Sequence, residues 1–212
     1  MRNSSGSVMV LNIAKEIIAN KQYLSDIDGL IGDGDHGVNM AKGFTICIEE
    51  IEASPDSLTG SLKTLSRILM NEIGGSMGPL YGYFFRSMAK TLGDNEEINI
   101  RLLSDMLQSG LDSIKDIGGA NLGDKTMLDC LIPAVAALKE ELNNGSSEEV
   151  ALSIMKEAAI AGRDNTKDMV AKVGRASRLG ERSRGVPDAG SCSCCLILCS
   201  IADSYLHYSR YS

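Results

Sequence analysis

The sequence has only two histidines among its 212 residues, and its formal net charge is -7. With so few histidines, no serine–histidine–acid set can be assembled beyond His36, and no nucleophile-elbow motif is present. The acidic balance argues against a protein that binds a nucleic-acid backbone, because such proteins carry a basic face. It still permits one bound nucleotide, whose phosphates local donors and metal ions can neutralise. We therefore expect no nucleic-acid partner.

Long apolar runs are also missing. The longest, CCLILCSIA at residues 194–202, covers less than half of the roughly 20 residues that a membrane-spanning helix needs. In the first 21 residues polar positions interrupt the apolar ones, which is typical of an amphipathic helix and not of a secretory signal. The six cysteines are not spaced like metal knuckles, so we expect buried, reduced thiols. These features predict a cytoplasmic protein with no membrane partner.

Helical periodicity is the main pattern that the sequence does have. Apolar residues recur at helical spacing, and no segment shows convincing strand alternation. The pattern predicts eight helices, at residues 8–23, 36–51, 58–73, 79–92, 98–117, 125–142, 148–169 and 190–208. We expect Asp124 to cap the sixth helix and an interruption near Gly162 in the seventh. Short connections favour an all-α bundle of antiparallel up-down neighbours, with residues 1–212 as a single domain.

The connections between these helices are of two kinds. The second, fourth and sixth (EASPDSLTG, GDNEEIN and NNGSSEE) are plain polar turns. The other four hold most of the glycines in close groups: SDIDGLIGDGD, GGSMGP, GGANLGD and KVGRASRLGERSRGVPDAG. Because alternate connections of an up-down bundle emerge at the same end, these four loops should meet. One end of the bundle is therefore predicted to carry the chemistry.

Three aspartates, Asp28, Asp33 and Asp35, lie within eight residues in the first of these loops. Helix capping accounts for one of them, with Asp35 as N-cap, and for a second at most. The spacing is not that of an EF-hand, and the carboxylates are too few for a protein-built calcium cage. Magnesium, which keeps water ligands and shares phosphate oxygens, suits the set better. The sequence therefore predicts a divalent metal site.

Two glycine-rich loops, GGSMGP and GGANLGDKT, each open a helix. Exposed amides and the positive end of the helix dipole favour anions there, and glycine lets the backbone approach a ligand. Tight interhelical turns are the alternative. The second loop is not a P-loop, because Asp124 interrupts the required Gly-Lys pair and no strand precedes it. Combined with the carboxylates, the two loops indicate a phosphate–magnesium site and phosphoryl-transfer chemistry.

The last loop is basic and contains Lys172, Arg175, Arg178, Arg182 and Arg184. A solvated basic segment is the ordinary interpretation for any single arginine. Together these residues could contact phosphate or adenine, or dock an acidic partner, and residues 172–190 could form a lid. His36 either binds phosphate or supports the aspartate loop through a hydrogen bond, and we favour the supporting role.

Four blocks of the sequence closely resemble the nucleotide-binding L subunit of dihydroxyacetone kinases: DGLIGDGDHGVNM, GGSMGPLYG, GDKTMLDCLIPA and GRASRLGERSRGVPDAG. Their order and spacing match, and the similarity extends over essentially the whole chain. It implies a barrel of eight antiparallel helices that binds ADP or ATP with two Mg²⁺ ions at one end. It also implies a partner K subunit that holds dihydroxyacetone covalently. In members that use the phosphotransferase system, a phosphohistidine carrier, the M subunit, supplies the phosphate.

The resemblance carries the metal ligands over to Asp28, Asp33 and Asp35. It carries the nucleotide contacts over to His36, Gly37, Val38, Asn39, Ser76, Met77, Gly118, Met127, Arg175, Pro187, Asp188, Ala189 and Gly190. The chain departs from the family pattern at Met77, where a small hydroxyl residue is usual, and at Ala189, Ser191 and Cys192. The alternative functions are a non-catalytic nucleotide- and magnesium-binding paralogue that regulates a partner, and a helical bundle without a ligand.

Overall fold

The computed structural model describes residues 1–209 and is almost entirely helical. Its α-helices are α1 (Ser7–Ala19), α2 (Lys21–Ile31), α3 (His36–Ala53), α4 (Leu58–Glu72), α5 (Met77–Leu92), α6 (Ile100–Gly118), α7 (Leu128–Asn143), α8 (Glu148–Asn165) and α9 (Ala189–Ser209). Two 3₁₀ segments, Thr166–Asp168 and Arg175–Ser183, lie between α8 and α9. Extended pairing within the described residues is limited to one bridge between Arg2 and Glu97. The predicted all-α class is confirmed.

The predicted first helix, residues 8–23, is wrong in its C-terminal part. α1 ends at Ala19, where the Asn20 side-chain amide donates to the Glu16 carbonyl oxygen at 2.8 Å. α2 then occupies most of the segment predicted as the first loop. Its buried residues Leu24 and Ile31 are seven positions apart, so they share one face of the helix and anchor it to the core. Asp28 therefore projects from a helix.

The predictions for the sixth and seventh helices also need correction. The sixth helix begins at Leu128 instead of Lys125. Asp124 does not cap it, because the Asp124 carboxylate accepts the Asn121 amide at 2.7 Å. The expected interruption near Gly162 is absent, since α8 runs unbroken to Asn165. The glycine instead permits close packing of α8 on α7, because a Cβ there would lie 2.3 Å from the Asp129 carbonyl oxygen.

The last helix, α9, packs against α1, α2, α7 and α8. The prediction that no stretch reaches membrane-spanning length is wrong for α9, which is long and apolar enough by length and composition. However, 72% of its apolar stretch is buried inside the protein, as expected of a core helix. The buried thiols of Cys192, Cys194 and Cys195 are part of this packing, and all six cysteines are free, as predicted.

Candidate active site

All four unusual connections meet at one end of the bundle, as the sequence predicted. They surround a cavity of about 580 Å³, which is within the range of about 300–1,000 Å³ that small-molecule sites occupy. The aspartates from the α2–α3 connection are part of its lining. Apolar side chains from the later helices are another part: Leu80, Tyr83, Ile114, Ile117, Met127 and Leu128. The cavity thus combines charged and apolar surfaces, as a nucleotide requires.

The helix N-termini at the two ends of the bundle are capped differently. At the end opposite the cavity, Ser57, Asn99 and Ser147 cap α4, α6 and α8 through side-chain oxygens that accept helix amides at 2.9–3.3 Å, whereas α1 has no side-chain cap. At the cavity, Asp35 and Ser76 occupy the N-cap positions of α3 and α5, yet neither side chain accepts a helix amide. Both residue types are strong N-caps. The N-terminal amides of α5 are therefore left for a ligand, and an anion suits them.

The three aspartates form a compact cluster at the cavity. One carboxylate oxygen from each of Asp28, Asp33 and Asp35 lies within 4.8 Å of the other two. α2 supplies Asp28, and a turn with Gly34 at φ 76° returns the chain so that Asp33 and Asp35 approach it. Neighbouring carboxylates repel each other, and hard oxygen donors at this separation suit a divalent cation such as Mg²⁺. The donor set therefore fits the metal that the resemblance implies.

Arg175 from the α8–α9 connection reaches the same cluster. Its guanidinium pairs with Asp33, and its Nη1 lies 4.0 Å from Asp35 Oδ2. Two other cations of this connection have partners elsewhere. Lys172 pairs with Asp124 at 3.3 Å, and Arg184 with Glu181 at 3.1 Å. Arg175 is thus the cation of this loop that can meet either the carboxylates or a phosphate bound between them.

Replacing Arg175 by glutamine should tighten the binding of Mg²⁺ in the absence of nucleotide. The guanidinium and a metal ion compete for the same carboxylates, and an exposed ion pair contributes up to about 1 kcal/mol, so we expect up to about fivefold tighter binding. Isothermal titration with Mg²⁺ alone measures this. Arg178→Gln, which changes an exposed arginine three residues along the loop, is the matched control. Weaker binding by the Arg175 variant would contradict the competition.

A buried hydrogen-bonded group lies behind the carboxylates. His36 Nε2 lies 2.9 Å from Ser193 Oγ, which in turn lies 2.7 Å from the Tyr81 hydroxyl. The His36 backbone amide donates to Asp28 Oδ2 at 3.3 Å. Burial lowers the pKa of His36 to about 4, against the opposing effect of Asp28, so the ring is neutral at pH 7. The His36 ring therefore contacts α9 and not the aspartate loop, which only the His36 backbone amide reaches. His36 also lines the cavity, so a contact with phosphate stays a prediction.

Replacing Ser193 by alanine should destabilise the fold by about 1–3 kcal/mol, because it removes the partner of the buried His36 imidazole and one of the two partners of the buried Tyr81 phenol. Denaturant unfolding measures the change. Ser200→Ala, at a half-buried position of the same helix, controls for the loss of a hydroxyl group from α9. A cost no larger than that of the control would show that the hydroxyl does not hold His36 in place.

All but three of the residues assigned from the sequence line the cavity. Those that do are Asp28, Asp33, Asp35, His36, Asn39, Ser76, Met77, Gly118, Met127, Arg175, Asp188, Ala189 and Gly190. Gly37, Val38 and Pro187 are not among the lining residues. A Cβ at Gly37 would lie 2.0 Å from the Lys21 carbonyl oxygen, so this glycine serves the packing of α3 on α2. Contacts of the lining residues with a nucleotide or metal stay predictions.

Asp188 and Asp129 organise the two loops next to the cavity. Asp188 Oδ2 accepts the Ser191 amide at 2.7 Å, which caps α9. Burial raises the pKa of Asp188 to about 7, while the Ser191 amide opposes the shift. Asp129 accepts the amides of Gly123 and Thr126 at 2.5 and 2.8 Å, and this closes the α6–α7 loop. Asp129 was not predicted as a site residue, because its role depends on a turn that no periodic pattern indicates.

Lys125 is the other residue that the sequence analysis missed. It was expected to begin a helix, but it is 2% exposed and has a backbone φ of 63°. Its ammonium group donates to three carbonyl oxygens of the α8–α9 connection: those of Met169, Ser183 and Val186. In the sequence, Asp124 separates Lys125 from the preceding glycine, and this was used only to exclude a P-loop. No local pattern indicated that the Lys125 side chain is buried.

Comparison with known proteins shows the family of the chain. The DAK2 domain family model matches residues 30–203. The chain is 39% identical over 187 residues to the ADP-binding subunit DhaL of PEP-dependent dihydroxyacetone kinase 1 from Listeria innocua, covering 88% of each. It is 38% identical over 173 residues to the ADP-binding subunit DhaL of the PEP-dependent dihydroxyacetone kinase of Escherichia coli, covering 81% of this chain and 82% of that subunit.

A solved structure has the same fold. The dihydroxyacetone kinase from C. freundii, in complex with AMP-PNP and Mg²⁺, superposes with a TM-score of 0.70 at 23% identity. The match covers 96% of this chain and 35% of that longer one, and at this identity it shows the fold alone. The sequence matches go further: the chain belongs to the DAK2 domain family, among the ADP-binding subunits of dihydroxyacetone kinases.

Proposed function

We propose that this protein is the cytoplasmic phosphotransferase subunit of a dihydroxyacetone kinase. It would use bound ADP or ATP and two Mg²⁺ ions to pass phosphate to dihydroxyacetone held by a partner K subunit. One observation carries the proposal: a carboxylate cluster and the uncapped N-terminus of α5 face the same cavity. The ADP-binding names of the bacterial relatives, and the AMP-PNP and Mg²⁺ of the C. freundii kinase, support it.

The phosphates would bind where the carboxylate cluster meets the start of α5. The residues Gly74 and Gly75 lead into the uncapped start of α5, and both line the cavity. Their backbone can approach a phosphate closely, and the amides at the helix start donate to its oxygens. Arg175 adds a positive charge beside the carboxylates. When bound, the Mg²⁺ ions neutralise charge between the carboxylates and the phosphate oxygens.

The base of the nucleotide would lie against the apolar lining. α5 and α6 contribute Leu80 and Ile114, and α7 contributes Met127 at its start. Tyr83, which is 38% exposed, can cover an adenine ring from the solvent side. This division of the lining favours one orientation of the nucleotide, in which its phosphates would lie at the carboxylates. Phosphoryl transfer depends mainly on such positioning and on charge neutralisation.

Among the described residues that line the cavity, we assign none as the general base. His36 is neutral but committed to Ser193, and Asp188 holds the start of α9 through the Ser191 amide. A base must reach the hydroxyl proton of the acceptor directly or through one water molecule. We therefore assign that proton transfer to the partner's site, where the acceptor is held.

The phosphate donor is proposed to be a phosphohistidine carrier, the M subunit. The relatives from L. innocua and E. coli are both named as PEP-dependent, and a carrier that receives its phosphate from PEP would recharge bound ADP. In that case ADP acts as a cofactor that stays on the protein through many cycles. Native mass spectrometry of the purified protein should then show co-purified ADP.

The second candidate, a non-catalytic nucleotide-binding paralogue, is favoured by Met77. This residue begins α5 and lines the cavity, where the family usually offers a hydroxyl group to the ligand. Its backbone amide is kept, so the substitution removes one side-chain donor without removing the helix N-terminus. We therefore expect Met77 to weaken the contact with phosphate without abolishing the site.

Reconstitution distinguishes the two candidates. The purified protein is mixed with a K subunit, dihydroxyacetone and Mg²⁺, together with either ATP or a phosphorylated carrier, and dihydroxyacetone phosphate is measured. Product formation supports the kinase subunit, and dependence on the carrier identifies the donor. Tight nucleotide binding without transfer from either donor supports the paralogue. Absence of nucleotide binding would contradict both.

A further inference from the structure

We propose that Lys125 is a positioning residue that clamps the α8–α9 loop (residues 169–188) against the nucleotide cavity and thereby slows nucleotide release. The inference rests on the proposed function only in taking a nucleotide as the ligand. Lys125 is buried and does not itself line the cavity, so it would affect nucleotide release only through the loop.

Three contacts join Lys125 to this loop. Its Nζ donates to the carbonyl oxygen of Met169 at 3.2 Å and to that of Val186 at 2.6 Å. A third bond goes to the Ser183 carbonyl oxygen. These acceptors come from both ends of the α8–α9 loop, so one ammonium group holds the ends together. An ammonium group has three protons to donate, and here all three have protein acceptors.

The backbone at Lys125 indicates that this arrangement is imposed by its surroundings. Its φ of 63° is the only positive value at a non-glycine residue within residues 1–209. Side chains with a Cβ are disfavoured in that conformation, which persists only when other interactions compensate. Burial also lowers the pKa of Lys125, and Asp188 opposes this effect. The three carbonyl bonds supply the compensation for both the backbone conformation and the buried charge.

The clamped loop contributes directly to the cavity wall. Val173, Gly174, Arg175 and Ala176 line the cavity, and this stretch is where Arg175 reaches the carboxylate cluster. Lys125 itself is followed by Thr126 and Met127, which line the cavity from the α6–α7 loop. The clamp therefore fixes two walls of the cavity relative to each other. Releasing it should let the α8–α9 loop move away while the rest of the bundle stays folded.

Other bonds keep the loop attached when the clamp is removed. The Lys172 amide donates to the Asp124 carbonyl oxygen at 3.1 Å, and the Gly185 amide donates to the Lys167 carbonyl oxygen at 2.7 Å. Loss of the ammonium group should therefore increase the open population of the loop without detaching it. When the binding-competent form falls to a tenth of the molecules, the apparent affinity falls about tenfold.

The test uses Lys125→Met in the full-length protein, since methionine keeps an unbranched apolar stem without the charge. Release of a fluorescent ADP analogue in the presence of Mg²⁺ is followed by stopped flow. We expect release about tenfold faster or more for this variant, and within about twofold of the parent protein for the control. The control is Lys167→Met, the same change at an exposed lysine just before the loop.

A second measurement reports the loop without any nucleotide. Arg178 and Arg182 are exposed in the α8–α9 loop, so trypsin should cut there faster in the Lys125 variant than in the control. Lys125→Arg, which keeps the charge and several donors, should restore part of the protection. Faster cleavage confined to this loop separates clamping from general destabilisation, which would expose sites throughout the chain.

The outcomes are distinct. Unchanged release and unchanged cleavage in a folded Lys125→Met protein would overturn the proposal. Should that variant not fold, Ser183→Ala provides the test. Ser183 Oγ accepts the Ala171 amide at 2.9 Å and donates to the Gly180 carbonyl oxygen at 2.7 Å within the same loop. Its release and cleavage should then rise, and unchanged values would overturn the clamp. A parent protein that binds no ADP analogue contradicts the proposed function, while the trypsin measurement still tests the clamp.

Discussion

Replacing Asp33 by asparagine should reduce phosphate transfer by about 100-fold or more while leaving the protein folded. The amide has the shape of the carboxylate but lacks its charge, so the cluster of Asp28, Asp33 and Asp35 can no longer hold divalent cations tightly. The same change removes one of three like charges that lie within 4.8 Å of one another. Mutual repulsion therefore falls, which offsets the loss of the exposed Arg175–Asp33 pair, and the stability of the ligand-free protein should change by no more than about 1 kcal/mol.

Two measurements on this variant test that expectation. Transfer is measured in the reconstituted assay, and the unfolding midpoint is measured with and without Mg²⁺ and ADP. A ligand present at about 100 times its dissociation constant stabilises the parent by about 2.7 kcal/mol, and the variant should lose most of this gain. Asp26→Asn is the matched control, since Asp26 is exposed on α2 and accepts only the Gln22 side chain at 2.7 Å. Equal losses in both variants would count against a specific metal site.

The substitution Gly37→Ala should destabilise the protein by about 3 kcal/mol, although alanine is normally the better helix residue by about 1 kcal/mol. The sign reverses because a Cβ at this position would lie 2.0 Å from the Lys21 carbonyl oxygen and 2.8 Å from the Ser25 amide nitrogen. Both neighbours are backbone atoms of α2, so α2 and α3 must separate. Separation moves Asp28 away from Asp33 and Asp35, and Mg²⁺ binding should weaken together with stability.

A second glycine provides the control for this effect. Gly29 also lies in α2, but the nearest atom to a Cβ there is the Gly34 Cα at 3.8 Å, which is ordinary contact. Gly29→Ala should therefore stabilise the protein by up to about 1 kcal/mol. Urea unfolding of both variants gives the comparison. Similar stabilisation by both substitutions would mean that α2 and α3 are not packed as closely as described.

The position of Gly37 shows how neighbouring residues of one motif come to lie in different surroundings. Gly37 and Val38 adjoin the metal cluster in sequence, and the resemblance assigned both to the ligand. The α-helical geometry of α3 turns successive residues to different sides, so His36 and Asn39 line the cavity while Gly37 faces α2. Neighbours in the sequence therefore differ in role, according to the element that each one faces.

The periodicity of apolar residues and the grouping of glycines were sufficient to predict the all-α class and the meeting of four loops at one end. Both depend on local rules, since helical spacing is read within a few turns and alternate connections of a bundle share an end. The closeness of the three aspartates was also local, because they lie within eight residues. Such features need no knowledge of distant contacts.

Only the tertiary structure decided the roles of Lys125 and Ser193. The partners of Lys125 lie 44 to 61 residues away, and Ser193 meets Tyr81 across 112 residues. The split of the first predicted helix into α1 and α2 likewise depended on which faces the core could bury. Local pattern cannot specify such contacts, because the identity of a buried polar partner depends on how the whole chain packs.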